Sequence, residues 1–289
     1  MHAERLRPMA HTLRMHVGRR TNRLRWYFDH NDGRLIHKWL HYFPIYEQTL
    51  APFRGRSCTL LEIGVSHGGS LQMWRDYLGR RSRIVGIDIE PRVAELAEQG
   101  IETRVGSQSD AEFLGRLVAE YGAFDLVIDD GSHLPTDQIA SIEFLWPHVT
   151  VGGRYMVEDL HSNYWPEYGA GRGHDDTFMA WLSERVDDMH AFHSREPGFE
   201  PNMWTNTLEA VHVYDSVAVL DKARITPPEH RKTGRPSFDD VYGHEFHDIV
   251  DEQHLAQLDS LSSPMARLRR LRRDPRGTMS RAWSRVRKS

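Results

Sequence analysis

The chain of 289 residues contains a single cysteine, Cys58, and no long hydrophobic run. One cysteine excludes a disulfide framework and a cysteine metal cluster within one chain, and it fits a reducing compartment. No apolar stretch approaches the roughly 18 residues that cross a bilayer, so we expect no membrane span. Residues 1–25 are rich in arginine, as in a transit peptide, but lack the apolar middle of a secretory signal. We favour a solvated N-terminal helix there and predict a cytoplasmic protein.

The charged residues are unevenly distributed, although the formal net charge is only −4. Residues 266–289 contain ten basic residues and one acid, so the remainder of the chain is distinctly acidic. Such a tail can bind nucleic acid, an anionic membrane surface or the acidic face of a protein. A solvated tail is the simpler interpretation, and we do not expect nucleic acid as a partner.

Length and composition fit one large folded domain with extensions, or two small domains. We predict a helical N-terminal extension over residues 1–50, a main domain over residues 51–225 and a C-terminal extension with the basic tail over residues 226–289. Aromatic residues and histidines recur at helical spacing in the first extension, which indicates a helix packed over a sheet. In an alternative interpretation, His37, His41 and Tyr46 line a cofactor pocket.

A strand, a glycine turn and a helix are predicted where the main domain begins. Glycines let the backbone pass close to a ligand, and the helix start offers free N–H groups to a carboxylate or phosphate. A dinucleotide fingerprint has glycine where this chain has Ser66. The pattern therefore suits S-adenosyl-L-methionine, whose tail is an amino acid, better than a dinucleotide. The candidate donor-binding residues in this turn are Glu62, Gly64, Ser66, Gly68 and Ser70.

Two further strand ends provide candidates for donor binding. Asp88 ends the next strand about 20 residues after the glycine turn, where an acid grips a ribose diol. Ser107 and Gln108 follow the third strand and are placed to meet an adenine edge. Ser109 and Asp110 are expected instead to cap the helix that follows.

Two apolar runs each end in adjacent carboxylates, the first in Asp129 and Asp130 and the second in Glu158 and Asp159. If the two strands are parallel neighbours, their ends lie about 5 Å apart. Asp130, Glu158 and Asp159 would then converge on one hard cation. Asp129 is expected to face the donor or to support the loop. His133 follows the first acidic pair, and an imidazole is the side chain that most often serves as a general base near neutrality. In the alternative interpretation, these acids cap helices and no cation binds.

The alternation of strands and helices predicts an α/β fold with a Rossmann-like, doubly wound sheet that is mostly parallel. Residues 208–222 are expected to add an antiparallel closing strand. All the candidate residues then share one rim of the sheet, where ligands bind. Residues 161–173 are rich in aromatics and glycine, which indicates a mobile loop that stacks Tyr164 or Trp165 on a sugar or ring. An ordinary surface loop is the alternative.

The order of the glycine turn, the first acidic pair with its histidine and the second acidic pair resembles a known family. It is similar to the class I S-adenosylmethionine-dependent sugar O-methyltransferases of the mycinamicin and tylosin type, a cephalosporin-hydroxylase-like family, over about residues 35–222. The resemblance implies S-adenosyl-L-methionine as methyl donor. It also implies Mg²⁺ held by Asp130, Glu158 and Asp159, with His133 as the catalytic base.

We therefore expect a Mg²⁺-dependent O-methyltransferase that acts on a hydroxyl of a sugar or glycosylated natural product. Its partners would be a small-molecule or glycoside substrate and further copies of the chain in a homo-oligomer. A nicotinamide-dependent oxidoreductase on the same type of sheet is one alternative. A non-catalytic protein with this fold, which recruits a partner through its basic tail, is another.

Overall fold

The computed structural model describes residues 22–231 and residue 233. The described residues fall into two units: residues 22–191 with 201–226, and residues 192–200 with 227–231 and 233. The sheet and the candidate site lie in the first unit. In the second, the Glu196 N–H donates a hydrogen bond to Ser194 Oγ. The predicted basic tail lies outside the described residues, and the predicted domain limits stay a prediction.

Seven strands within the described residues form one sheet in the order β3-β2-β1-β4-β5-β7-β6. Strands β1 to β5 are parallel, and β7 runs antiparallel to both β5 and β6. This confirms the predicted α/β fold, mostly parallel with antiparallel closing strands. The strands are β1 Thr59–Ile63, β2 Arg83–Asp88, β3 Ile101–Val105, β4 Phe124–Asp129, β5 Val149–Val157, β6 Leu208–Tyr214 and β7 Val217–Lys222.

The helices of the described residues lie mainly between these strands. The α-helices are α1 Arg23–Asp29, α2 Tyr42–Leu50, α3 Gly69–Leu78, α4 Ala111–Tyr121, α5 Pro135–Leu145, α6 Phe178–Asp188 and α7 Met203–Thr207. Short 3₁₀ turns cover Ala51–Phe53, Pro91–Leu96, Trp146–His148, Leu160–Tyr164, Pro166–Tyr168 and Ala191–His193. Asp110 caps α4 as predicted, because its carboxylate accepts the N–H groups of Glu112 and Phe113. None of the helices in this part of the chain is long and apolar enough to cross a membrane.

Apolar side chains are buried on both faces of the sheet. Along β1 they alternate, so that Leu61 belongs to one core cluster and Leu60 to the other. The first cluster includes Phe178 of α6, and the second includes Trp74 of α3. Burying a side chain of this kind stabilises the fold by about 2–3 kcal/mol. The core on both faces holds the central strands in register.

The ends of the three central strands are level. Ile63 of β1 pairs with Asp129 of β4, and Asp129 pairs with Val157 of β5. One residue further on, the Asp130 N–H donates to the Ile63 carbonyl and the Glu158 N–H donates to the Asp129 carbonyl, both at 2.9 Å. The ladder therefore places the glycine turn and both acidic pairs at the same edge of the sheet.

Candidate active site

The acids and the histidine converge where β4 and β5 end. Asp130, His133 and Asp159 each offer one ligand atom, and these atoms lie within 4.8 Å of one another. The side chains are 20 %, 25 % and 20 % exposed, so the group opens towards solvent. His133 and Asp159 have positive φ angles of 58° and 55°. Residues other than glycine rarely adopt this conformation, and such strained residues cluster at functional sites.

The glycine turn packs directly against the Asp130 loop. Gly64 has a φ angle of +88°, and a Cβ atom there would lie 2.0 Å from the Asp130 carbonyl oxygen. A side chain at this position would therefore push the acidic loop away. Ser66, where a dinucleotide fingerprint has glycine, adopts a φ angle of 49°, and Gly68 adopts 78° at the start of α3. The glycine turn is thus in direct contact with the loop that carries Asp130.

Carboxylates beneath the turn hold it in place. Asp88 accepts the N–H groups of Val65 and Ser66 at 2.9 Å, which ties the end of β2 to the turn. Glu62 is fully buried and accepts hydrogen bonds from Ser70 Oγ and Trp74 Nε1. Burial raises the pKa of Glu62 to about 7. The structure brings the predicted donor residues of the turn together, and their contacts with a donor stay predictions.

Asp129 and Gln108 form a buried network below the loop. The Asp129 carboxylate is 1 % exposed and accepts hydrogen bonds from Gln108, Ser141 and Tyr155. Burial raises the pKa of Asp129 to about 6. The Gln108 carbonyl oxygen accepts the Ser132 N–H at 2.8 Å, so both ends of its amide are engaged. These contacts favour the loop-supporting role for Asp129 and leave Ser107, which is half-buried, better exposed than Gln108 for the predicted adenine contact.

Lys38 lies between the two strand ends and was missed from the sequence. Its ammonium is 2.6 Å from Asp130 Oδ2, 2.9 Å from Glu158 Oε2 and 4.0 Å from Glu62 Oε1. The side chain is 4 % exposed. Burial lowers the pKa of Lys38, but the carboxylates of Asp130, Glu158 and Glu62 outweigh that effect and raise it well above its ordinary value. We refer to Asp130, Glu158 and Glu62 as the acid cluster, and Lys38 is a buried, charged lysine that lies within it.

Two tyrosines of α2 donate to the second acidic pair. The Tyr42 hydroxyl donates to Asp159 Oδ1 at 2.7 Å, and the Tyr46 hydroxyl donates to Glu158 Oε2 at 2.8 Å. The two tyrosines are one helical turn apart, so they share a face. This spacing of four residues is visible in the sequence and could have predicted that both hydroxyls point to one site. Of the three residues suggested as pocket-lining, Tyr46 reaches the site, whereas His37 and His41 are exposed.

The residues present fit a bound divalent cation. Burial raises the pKa of Glu158, and the Lys38 ammonium opposes that rise. Glu158 Oε1 is buried, and no described residue gives it a hydrogen bond. A buried carboxylate oxygen without a partner is costly, and a metal ion would satisfy it. Carboxylate oxygens are the ligands that Mg²⁺ prefers. The ligand atoms that lie within 4.8 Å of one another belong to Asp130, His133 and Asp159, and Glu158 adds a buried oxygen without a partner among the described residues.

A row of aromatic rings begins beside the cluster, and we refer to Trp39, His161, Trp165 and Tyr168 as the aromatic row. Its successive ring centroids lie 5.8, 4.6 and 5.9 Å apart. His161 Nδ1 is 3.9 Å from Asp159 Oδ1, which connects the row to the acids. Trp39 is 52 % exposed and Trp165 is 42 % exposed. The row offers flat ring surface next to the acids, and its stacking on a sugar stays a prediction.

Comparisons with known proteins agree with this architecture. Residues 61–160 match the family described as a methyltransferase domain. The 8-demethyl-8-(2-methoxy-alpha-L-rhamnosyl)-tetracenomycin-C 3'-O-methyltransferase of Streptomyces olivaceus is 39 % identical over 198 residues, 64 % of this chain and 50 % of that protein. The mycinamicin VI 2''-O-methyltransferase of Micromonospora griseorubida is 36 % identical over 198 residues, 64 % of this chain and 49 % of that protein.

A solved structure gives the same result. The crystal structure of the MycE methyltransferase from the mycinamycin biosynthetic pathway, in complex with Mg and SAH, superposes with a TM-score of 0.63 at 33 % identity. The match covers 70 % of this chain and 54 % of that one. The chain thus spans about half the length of the curated relatives it matches. The chain therefore has the α/β methyltransferase fold, and by sequence and structure it is similar to the sugar O-methyltransferases of the mycinamicin and tetracenomycin type.

Proposed function

We propose that this chain is a Mg²⁺-dependent O-methyltransferase that transfers a methyl group from S-adenosyl-L-methionine to a hydroxyl of a sugar or glycosylated natural product. The observation that carries the proposal is the direct packing of the glycine turn on the acidic loop, where Gly64 leaves no room for a side chain against the Asp130 carbonyl. A donor bound at the turn and an acceptor bound at the acids would then be neighbours. Holding two reactants in line supplies much of the rate enhancement of an enzyme.

The metal would be held by Asp130, Glu158 and Asp159. Glu158 is included because its Oε1 is buried without a hydrogen-bond partner among the described residues, while its Oε2 is engaged by Lys38 and Tyr46. When bound, Mg²⁺ supplies a positive charge that stabilises a developing alkoxide and orients neighbouring oxygens. The oxygen ligands leave the imidazole of His133 free for a different role.

His133 is the proposed general base. Its Nδ1 is buried, whereas its Nε2 lies 3.6 Å from Asp159 Oδ2 in the open part of the site. As the acceptor oxygen attacks the methyl carbon, the carbon–sulfur bond of the donor breaks and the hydroxyl proton passes to His133 Nε2. The Asp159 carboxylate stabilises the imidazolium that forms. The products are the methyl ether, S-adenosylhomocysteine and a proton, which His133 releases to solvent.

The aromatic row is the proposed binding surface for the sugar or its aglycone. Trp165 and Tyr168 extend it away from the acids, so a glycoside would place its sugar near His133 and its larger ring system along the row. The relatives are named for O-methylation of a rhamnosyl-tetracenomycin and of mycinamicin VI. Which glycoside this chain takes is set by that surface.

The proposal is tested by incubating the chain with isotopically labelled S-adenosyl-L-methionine and an extract of the cell that produces it. We expect one labelled methyl ether, identified by mass spectrometry, whose formation stops when EDTA is added and resumes with excess MgCl₂. Asp130→Ala should abolish turnover and leave donor binding, measured by isothermal titration calorimetry, unchanged. Full turnover by Asp130→Ala in the presence of chelator would contradict the mechanism.

A further inference from the structure

Lys38 reaches the acid cluster from a segment that packs on the glycine turn and the start of α3. We refer to residues 31–41 as the lysine segment. It contacts the start of α3 so closely that a Cβ atom on Gly69 would lie 2.3 Å from the Arg34 carbonyl oxygen and 2.4 Å from that of Leu35. Arg34 also donates hydrogen bonds to the Leu96 carbonyl and to Gln72 Oε1. The segment is therefore anchored beside the glycine turn, and the Lys38 side chain extends from it to Asp130 and Glu158.

The Lys38 ammonium lies between two of the carboxylates that are proposed as metal ligands. It binds one oxygen of Asp130 and one of Glu158, which come from adjacent strand ends. Buried carboxylates are strongly unfavourable without a positive charge nearby. Lys38 provides that charge when no metal is present. The 2.6 Å contact with Asp130 engages Oδ2, one of the two oxygens that this carboxylate could offer to a metal.

Lysine and a dication cannot both contact Asp130 in this way without repelling each other. Mg²⁺ binds oxygen at about 2.1 Å, so an ion on Asp130 Oδ2 lies within about 5 Å of an ammonium that is hydrogen-bonded to the same atom. Like charges at this distance repel each other, and more strongly beside the buried Lys38 and Glu158 side chains than in bulk water. Either the ion binds weakly or the ammonium moves.

We propose that Lys38 is a built-in counter-cation: it neutralises the acid cluster in the metal-free protein and is displaced from Asp130 when Mg²⁺ binds. The inference rests on the proposed function, because it needs Asp130 to be a metal ligand. Lys38 is thus a positioning residue that holds Asp130 and Glu158 in place before the metal arrives. Its presence sets how tightly the site binds the ion.

The test compares Mg²⁺ binding by the full-length chain and its variants, measured by isothermal titration calorimetry with MgCl₂. Lys38→Met removes the competing charge, and we expect the Kd for Mg²⁺ to fall at least tenfold. Lys222→Gln is the matched control, because Lys222 is also buried and donates to the carbonyls of Trp146 and Pro147 rather than to the cluster. The control should bind Mg²⁺ as the wild type does.

A second variant and a second measurement keep the test decisive. Lys38→Gln keeps a hydrogen-bond donor without the charge, and it replaces Lys38→Met if that variant does not fold. The rise in Tm on adding MgCl₂ should be larger for either Lys38 variant than for the wild type, because the metal then neutralises carboxylates that have no other counter-cation.

The outcomes separate this inference from the proposed function. If the wild type binds Mg²⁺ and the Lys38 variants bind it equally or more weakly, Lys38 merely supports the site and the inference is overturned, while the proposed function stands. If neither the wild type nor the variants bind Mg²⁺, the metal requirement of the proposed function fails, and the inference fails with it.

Discussion

Replacing Gly64 by alanine tests whether the glycine turn and the acidic loop act as one unit. The new Cβ atom would lie 2.0 Å from the Asp130 carbonyl oxygen and 2.9 Å from the Gly131 Cα. Real Cβ contacts are essentially never shorter than 3.0 Å, so the Asp130 loop must retreat by at least 1 Å. The Asp130 carboxylate would move with it. Gly152→Ala is the matched control, because Gly152 has nearly the same φ angle, +85° against +88°, and nothing within 4 Å of its Cβ position.

Both variants lose stability because alanine replaces a glycine with a positive φ angle, and only Gly64→Ala loses further stability through a clash. Placing alanine in the left-handed region costs about 1–2 kcal/mol in both proteins. The steric clash adds about 1–3 kcal/mol in Gly64→Ala alone. A shift of about 1 Å in a catalytic group can lower the rate about 100-fold. Mg²⁺ requires near-ideal octahedral geometry, so we also expect its Kd to rise about tenfold or more in Gly64→Ala and not in Gly152→Ala.

Urea unfolding gives the free energies, and calorimetric titration with MgCl₂ gives the Kd values. Equal losses of stability in the two variants, together with an unchanged Kd for Mg²⁺ in Gly64→Ala, would show that the loop accommodates the methyl group without moving the acid. The coupling between turn and loop would then be refuted.

Three further predictions concern single side chains. His133→Ala should lower kcat by about 10²–10⁴-fold and keep Mg²⁺ binding, whereas Asp130→Asn should lose Mg²⁺ binding. If His133→Ala also loses Mg²⁺ binding, the imidazole is a metal ligand instead of the base. Burial raises the pKa of Asp129 to about 6, whereas an unfolded aspartate ionises near 4. The native state therefore keeps a proton that the unfolded state loses, and the free energy of unfolding falls by up to about 3 kcal/mol as the pH rises from 4 to 6. Asp129→Asn should lack this fall in urea unfolding at the two pH values, and parallel curves would contradict it. Trp165→Ala should raise KM for the glycoside and leave kcat nearly unchanged in initial-rate measurements, while a selective loss of kcat would exclude a purely binding role.

The strands and the level acidic ends were predictable from local sequence. β4 and β5 are apolar runs that stop at carboxylates, and parallel strands joined by a helix bring such ends to one edge. The predicted neighbour relation of β4 and β5 is confirmed by their parallel register. The assignment of individual residues to metal, base and donor stays a prediction, because the contacts of a bound metal or donor are what would test it.

The contribution of the N-terminal segment was not predictable in the same way. Lys38 contacts Asp130 and Glu158, which are 92 and 120 residues away along the chain. Helical periodicity places Tyr42 and Tyr46 on one face but does not say which end of the sheet that face covers. The amide of Gln108 likewise meets Asp129 only once β4 lies in the middle of the sheet. Long-range packing decides these contacts, and it leaves little trace in a local pattern.

The main-chain hydrogen bonds at the strand tips have a consequence for how the sequence around the site can vary. Asp130 and Glu158 are fixed by bonds from their own N–H groups to neighbouring strands, not by the aromatic segment that follows. Exchanges at the exposed residues 164–167 can therefore reshape the proposed acceptor surface without touching the strand tips, whereas Ser162 donates a hydrogen bond to the His133 carbonyl and must be kept. Engineering for a new glycoside should start at these exposed residues.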